Sequence, residues 1–574
     1  GFEYRRTGMN RLAANYPGGR IGFSALESGH AFASLLLGYA NYAETPEGLP
    51  LTQPRSNMFS LYVLDDWKIT PKLTANIGLR FDHFGEPYDA GGYWRSFDFD
   101  RTFRTSGGQT IPTLYPASLG DSAAVPLWSH NEKLIMPRVG LAWRPANKWV
   151  LRAGSGWYSS TPHFNNFTIL NLMPPYSGSR QFNSVTDAAQ TVPVSAAGQQ
   201  FNVTTRRFRP GTQPLQLGPG LFAGEARINP ENLWYVEKNR KNHNHWTWSF
   251  DMQRELPLGT ALTVGYVGSK SSSLTGIIQN WNTAPPSPDT NFQARRPVQY
   301  FHDPLRPQVE VRTVAHLQAI VNGMNSFYHG ATVSLDKRYS KGLAYGVYYV
   351  FSKANGESSG SQDGVPVQNP RNYREGRGPL GFDRRHVIVG NFVYELPWLK
   401  AARGVSGLVL GGWQVNGMIA FRSGFPYTMT QGDDLNTGGF TSVRPDRIGD
   451  GHLDNPSRKL WFDPSAFRRV TCNIPNRQEL CHYGNSGVGI LNGPMQKNTD
   501  LSLFKNFSIA KLEPLNLQLR LEAFNALNTP FFGNPASVGF ASVNSTVPDA
   551  PRMGEIRSLE APMRTIQLGI KLTW

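Results

Sequence analysis

Apolar and polar residues alternate along this chain in segments of about ten residues, the length a tilted β-strand needs to cross a bilayer. In 565–574, Ile566, Leu568, Ile570, Leu572 and Trp574 share one face, and Thr565, Gln567, Gly569, Lys571 and Thr573 share the other. In 515–524, Leu515, Leu517, Leu519, Leu521 and Ala523 oppose Asn516, Gln518, Arg520 and Glu522. The pattern recurs at 73–83, where Leu73, Ala75, Ile77, Leu79 and Phe81 oppose Thr74, Asn76, Arg80 and Asp82. It recurs again at 246–255, where Trp246, Trp248, Phe250 and Met252 oppose Thr247, Ser249, Asp251 and Gln253. Further strands are predicted at 57–69, 137–144, 149–158, 260–269, 327–339, 343–352, 384–396, 408–421 and 499–508, with weaker ones near 1–6, 20–24 and 37–43. Roughly sixteen strands result, within the range of outer-membrane barrels.

Connection lengths sharpen the picture. Short turns at Thr70-Pro71-Lys72, Pro145–Lys148, Pro257-Leu258-Gly259, Ser340-Lys341-Gly342, 397–407 and 509–514 alternate with long connections at 84–136, 159–243, 270–326, 353–383, 422–498 and 525–562. Such connections, without evident secondary structure, count against a compact soluble sandwich or propeller. They are ordinary on the extracellular side of an all-β, antiparallel, up-and-down transmembrane barrel with short periplasmic turns. Charges on the apolar face obey the same depth rule: Asp65, Arg254, Lys337 and Lys505 each come just before a short turn, with Trp67 and Tyr339 nearby as girdle aromatics.

Composition agrees. Only 39% of the 574 residues are hydrophobic, and there is no run long enough for a helical span, yet the chain holds 14 Trp, 22 Tyr, 33 Phe and 58 Gly. One architectural unit, 1–574, is expected. The chain opens at Gly1 with no export signal, so any signal is expected to be removed or upstream. A net charge of +16 points to anionic partners. The arginines are dispersed and no nucleic-acid motif is present, so no nucleic acid is expected as partner; lipopolysaccharide phosphates, anionic solutes or a generally basic surface remain.

Chemical motifs are sparse. Cys472 and Cys481 are a disulfide candidate if the compartment is oxidising, or else two free thiols, and with His482 they are too few to hold a metal. Gly356-Glu357-Ser358-Ser359-Gly360 matches a hydrolase elbow but opens a polar loop running on through Ser361–Gly364, without the helix an elbow needs. His243 and His245 share a strand face but lack a third metal ligand; Asp446, Asp450 and Asp454 lack calcium-loop spacing; Gly432-Asp433-Asp434 reads as a turn. No catalytic site, resident metal or cofactor is expected. Arg80, Asp82, Arg138, Arg152, Asp251, Arg520 and Glu522 are the candidates for lining a lumen, either along a solute path or as a hydrogen-bonded ladder against a plug.

Several segments resemble the barrel of the Oar-like branch of TonB-dependent outer-membrane transporters. These are Leu64-Asp65-Asp66-Trp67-Lys68, Pro137-Arg138-Val139-Gly140-Leu141, Asp383-Arg384-Arg385-His386, and Gly412-Trp413-Gln414-Val415 followed by Arg422-Ser423-Gly424-Phe425-Pro426. In the same order as in that family come Arg444-Pro445-Asp446, Trp461-Phe462-Asp463-Pro464, Asp500-Leu501-Ser502-Leu503-Phe504-Lys505-Asn506, Glu522-Ala523-Phe524-Asn525 and Asn534-Pro535. The resemblance covers nearly the whole chain. It implies the later part of a barrel of about 22 strands, whose first strands and N-terminal plug lie outside these residues. It implies import of a large or scarce solute when the TonB complex pulls on that plug. It also implies that the barrel-assembly machinery reads a C-terminal signal at Trp574, with Leu572 and Ile570 before it. A passive porin and a surface adhesin that uses the barrel as a platform are the competing functions.

Overall fold

The computed structural model describes residues 1–12, 20–23, 30–36, 42–47, 51–115, 132–160, 163–173, 178–183, 201–202, 207–208, 231–357, 367–397, 404–431, 435–439, 443–474, 476–508, 516–536 and 553–573. Its frame is a meander in which each long strand pairs antiparallel with the next. In chain order these are β1 (Phe2–Gly8), β2 (Pro54–Thr70), β3 (Leu73–Phe84), β4 (Glu132–Trp143), β5 (Trp149–Ser160), β6 (His243–Leu256) and β7 (Thr260–Ile278). There follow β8 (Arg312–Ser340), β9 (Leu343–Gly356), β10 (His386–Glu395), β11 (Trp413–Arg422), β12 (Gln496–Ser508), β13 (Asn516–Phe524) and β14 (Thr565–Thr573). With the short strands bonded to it, the sheet has 20 strands. Among the described residues no ladder joins β14 to β1. No helix among them is long and apolar enough to cross a membrane.

Register carries the facing of one strand to the whole wall. Leu61 stands opposite Phe81, and Phe81 opposite Ile135. Ten strands on, Leu503 on β12 stands opposite Leu521, and Leu521 opposite Leu568. These rows form an apolar belt open to the outside: Leu568 is 79% exposed and Ile570 75%. The intervening positions, such as Asn76, Arg80, Ser249, Gln518 and Gln567, carry the polar side chains. A sheet with hydrocarbon-like residues outward and polar ones inward is built for lipid, not for water.

Glycines let the inner face stay smooth. Tyr158 lies flat over Gly156, and Tyr348 over Gly346, so that a Cβ at either glycine would fall within about 3 Å of the ring. The hairpin between β8 and β9 turns on Lys341 (φ 53°) and Gly342 (φ 81°), both left-handed as a two-residue hairpin loop requires.

Three expectations change. Within the weak strands expected at 20–24 and 37–43, the described residues are not in the wall: Arg20–Gly22 and Tyr42–Glu47 form a separate small sheet with Gly178–Asn183, while 24 and 37–41 lie outside the described residues. The segment 408–412 is not strand, because the chain forms a helix over Gly404–Leu410 and enters β11 only at Trp413. The long connections also hold more structure than expected. Strands β7 and β8 run on beyond the predicted 269 and begin well before 327, and the Ser96–Arg104/Thr110–Tyr115 hairpin and the strand Glu231–Val236 pack against them. Trp574 and the turn 509–514 lie outside the described residues.

Placing a charge in the belt should cost about 2–4 kcal/mol at mid-membrane, whereas the inward neighbour tolerates it. Leu568→Arg should therefore depress the yield of heat-modifiable folded barrel far more than Gln567→Arg. Equal yields would contradict the facing.

Candidate functional site

The inward-facing candidates fall into separate places. On β3 the Arg80 guanidinium donates to Asp82 (2.7 Å), to Ser60 (2.8 Å) and to Glu3 (3.0 Å), tying β1, β2 and β3 together near their loop ends. Arg138 on β4 lies over the Tyr158 ring at 4.4 Å. Arg152 stands opposite Asp251 in register but donates to Gln253 at 3.2 Å, while Asp251 crowds Gly265 beside Thr332. Arg520, far along the sheet on β13, donates to Gln518 (2.6 Å) and covers Phe504 at 4.9 Å; Glu522 stands opposite Ser502 and Gln567. The structure thus distributes these seven residues along the wall. It does not gather them into one binding cluster.

Part of that wall is hollowed. Gly78, Gly140, Gly154 and Gly156 floor a concavity of about 660 Å³, bordered by Asp66, Asn76, Arg138, Tyr158, Thr247 and Asp251. Asn76 donates to Asp66 across its edge. The small floor residues let another chain or a solute approach the backbone closely, between walls that are largely apolar, with Leu64 and Val139 among them.

Beyond the strand ends, the loops pack into a cap with its own apolar cores. Phe97, Leu114, Met173, Leu233, Phe301 and Leu317 form one, and Trp94, Phe167, Leu170 and Ile320 its neighbour. A second lobe closes around Tyr427, Met429, Phe462, Phe467, Leu491 and Met553. Within the first lobe Arg95 and Asp303 are fully buried and paired at 2.9 Å, and Arg306 reaches the same carboxylate at 2.5 Å. Burial alone would push the Asp303 carboxyl up, but Arg95 and Arg306 outweigh it and hold it below the usual carboxylate range. Burial pulls Arg240 down to about 10, still charged at neutral pH; its guanidinium donates to the Ile320 carbonyl (3.1 Å) and to Thr275 (2.6 Å).

The polar residues of the recognisable motifs meet where the wall passes into the cap. Arg384 stacks on Phe425 at 3.3 Å and donates to Gln496 (2.6 Å) and to the Ser423 carbonyl. The Ser423 hydroxyl accepts from the His386 amide at 2.8 Å, and Asp383 accepts from Ala354 N at 2.6 Å. Gly424 abuts the backbone of Gly493, and Gly493 abuts Asn534, approaches that leave no room for a Cβ. Asp500 accepts from the Asn525 amide (2.8 Å), and Asn525 in turn exchanges hydrogen bonds with Thr529. Further out, Asp446 pairs with Arg468 at 3.0 Å and accepts from Asn485 N. Sequence reasoning quoted these motifs as marks of resemblance and missed that they form one clasp, since nothing in their spacing shows that loops so far apart come together.

The remaining motifs have structural partners. His243 Nε2 accepts from Thr275 N at 3.1 Å, and His245 Nδ1 lies 2.8 Å from the Ser271 hydroxyl. Asp450 pairs with Arg447 and His452, away from Asp446. Cys472 and Cys481 are joined as a disulfide beside Leu435, Val443 and Val470. Glu357 accepts from Asn325 N, while Ser358–Gly364 and Gly432–Asp434 lie outside the described residues. Among the described residues no group of three or more His, Cys, Asp and Glu side chains is placed to hold a metal ion.

Two outcomes are expected. Arg384→Ala should remove charged hydrogen bonds worth about 1.5–3 kcal/mol each, speeding hydrogen exchange at 423–426 and 493–496 while the mid-wall strands stay protected; unchanged exchange would contradict the clasp. For Asp303, a lowered folded pKa means stabilisation that is present above the unfolded value of about 3.9 and lost as pH falls through the lowered one. The cap's hydrogen-exchange protection, corrected for the intrinsic rate at each pH, should therefore be unchanged from neutral pH down to about 4 and fall below it. Asp303→Asn should lose that acid dependence and be weaker throughout.

The FrpB iron transporter from Neisseria meningitidis (F3-3 variant) is similar, with 12% identity, a TM-score of 0.37, and coverage of 91% of this chain and 45% of that one. So are the siderophore receptor PiuA from Acinetobacter baumannii (10%, TM-score 0.37, covering 93% and 44%) and the outer membrane transporter YddB from Escherichia coli (9%, TM-score 0.39, covering 91% and 55%). The chain spans about half the length of these solved structures. No curated protein matches it. The family model described as "Outer membrane beta barrel domain" matches residues 1–567, and the chain therefore belongs to that family and to the bacterial outer membrane.

Proposed function

We propose that this chain is the wall and loop cap of a TonB-dependent receptor that imports a large or scarce solute across the outer membrane, and that it is not an enzyme. The observation that carries this reading is the inner face. It is mainly polar over most of the arc from β1 to β14, apart from a patch at Val387, Val389, Val393 and Met418 on β10 and β11, and an arc that wide encloses more space than its own side chains fill, so a channel or a plug must occupy it. The packed cap over the strand ends supports solute capture, and the family motifs that form the clasp support the Oar-like assignment.

On this reading residues 1–574 are a barrel domain, and the plug and first strands belong to the rest of a longer protein. TonB acts through that plug, the barrel-assembly machinery reads Trp574 with Leu572 and Ile570, and lipopolysaccharide surrounds the outer rim. The Gly-floored concavity beside Arg138 and Tyr158 offers one place on this wall for a plug segment or a passing solute.

Cells carrying the full-length protein should accumulate solute, and deleting TonB should abolish that uptake. Uptake that survives the deletion would mark a passive porin; no uptake in either strain would mark an adhesin using the barrel as a platform.

A further inference from the structure

Between β10 and β11 the chain forms the helix Gly404–Leu410, which has no acidic residue in its first turn and no basic one in its last. Val405, Leu408, Val409 and Leu410 are each more than half exposed, Val405 at 77%. Neighbouring hairpins on this side turn on Lys72, Lys148 and Lys341, residues suited to water. Four aliphatic side chains left in water would each forgo burial worth about 1.5–3 kcal/mol.

The C-terminal end of the helix is tied to the lipid face of the wall. Trp413 and Lys505 stand opposite one another, and Lys505 stands opposite Leu519, which is opposite Ile570 in the apolar belt. The Trp413 indole donates to the Val409 carbonyl at 2.9 Å. Lys505, itself buried, donates to the Gly411 carbonyl and lies over the rings of Trp413 (5.4 Å) and Phe507 (4.9 Å). A lysine whose stem lies along apolar surface, whose head meets carbonyls and which sits under an indole marks the level of the lipid headgroups. The helix is thus continuous with the lipid-facing surface at its turn-side edge.

We propose that Gly404–Leu410 lies in the interface of the inner leaflet, its aliphatic side chains in the boundary between headgroups and acyl chains, and anchors the β10–β11 side of the barrel to lipid. The occupant is phospholipid, and the proposal rests only on the membrane setting of the wall. It holds whether the barrel transports or not.

The test places an environment-sensitive fluorophore at Leu408→Cys, and separately at Val405→Cys, in the full chain in phospholipid vesicles with the native disulfide intact. Leu568→Cys and Gln109→Cys serve as references. A nitroxide at the top of the acyl chain should quench the 405 and 408 labels several-fold more strongly than one near the bilayer centre. The 568 label should show the reverse order, and the 109 label should respond to neither. Labels at 405 and 408 that are quenched by aqueous iodide but by neither lipid would overturn the anchor. Labels shielded from iodide and lipid alike would also overturn it, since protein would then cover the helix. Failure of the 568 reference alone would instead indict the membrane facing of the wall.

Discussion

In hydrocarbon every peptide N–H and C=O must find a protein partner, and the ladders meet that demand for every strand between the end strands β1 and β14. The same ladders transmit facing. Because a slip of one residue would turn a strand's apolar set inward, the register that puts Leu61 against Phe81 constrains Ile135, and so on to Leu503, Leu521 and Leu568. The charged exceptions obey depth. Arg254 lies over Trp149 at 4.7 Å, and Lys337 donates to Ser340 at 2.5 Å, both beside short turns.

That constraint is why the wall was legible from residues alone. Between lipid and lumen the period of two is clear at Leu517, Leu519 and Leu521, and blurred only where both faces are apolar, as at Val387-Ile388-Val389 on β10. It fails where the strands leave the membrane. In the outer part of β8, Leu317, Ala319, Ile320 and Val321 are all buried in the cap, so both faces are apolar and the segment reads as loop. At 408–411 the run Leu-Val-Leu-Gly is apolar on both parities, and a period of two cannot tell a short helix from a strand entrance.

The candidate site was less legible, for a related reason. Inward position was readable for Arg80, Arg138, Arg152 and Arg520, but their partners lie on other strands: Glu3 for Arg80, Tyr158 for Arg138. The clasp was hidden more deeply, since Arg384 on Phe425 and Gly424 against Gly493 are contacts between loops with no shared period. Conformation gave one clue in hindsight: Gly424 and Gly493 are required by close approach, and Arg384 by its stack and forked hydrogen bonds. These contacts tie the loop cap to the strand ends, so the quoted motifs lie at the junction of the two parts.

The central claim is that alternate residues of each strand meet acyl chains and lumen water. Spin labels placed singly at 517 through 522 on β13, in bilayers, report it directly through their accessibility to oxygen and to an aqueous relaxation agent. Labels at 517, 519 and 521 should favour oxygen, and those at 518, 520 and 522 the aqueous agent. A profile without alternation, or with the two sets exchanged, would contradict the account.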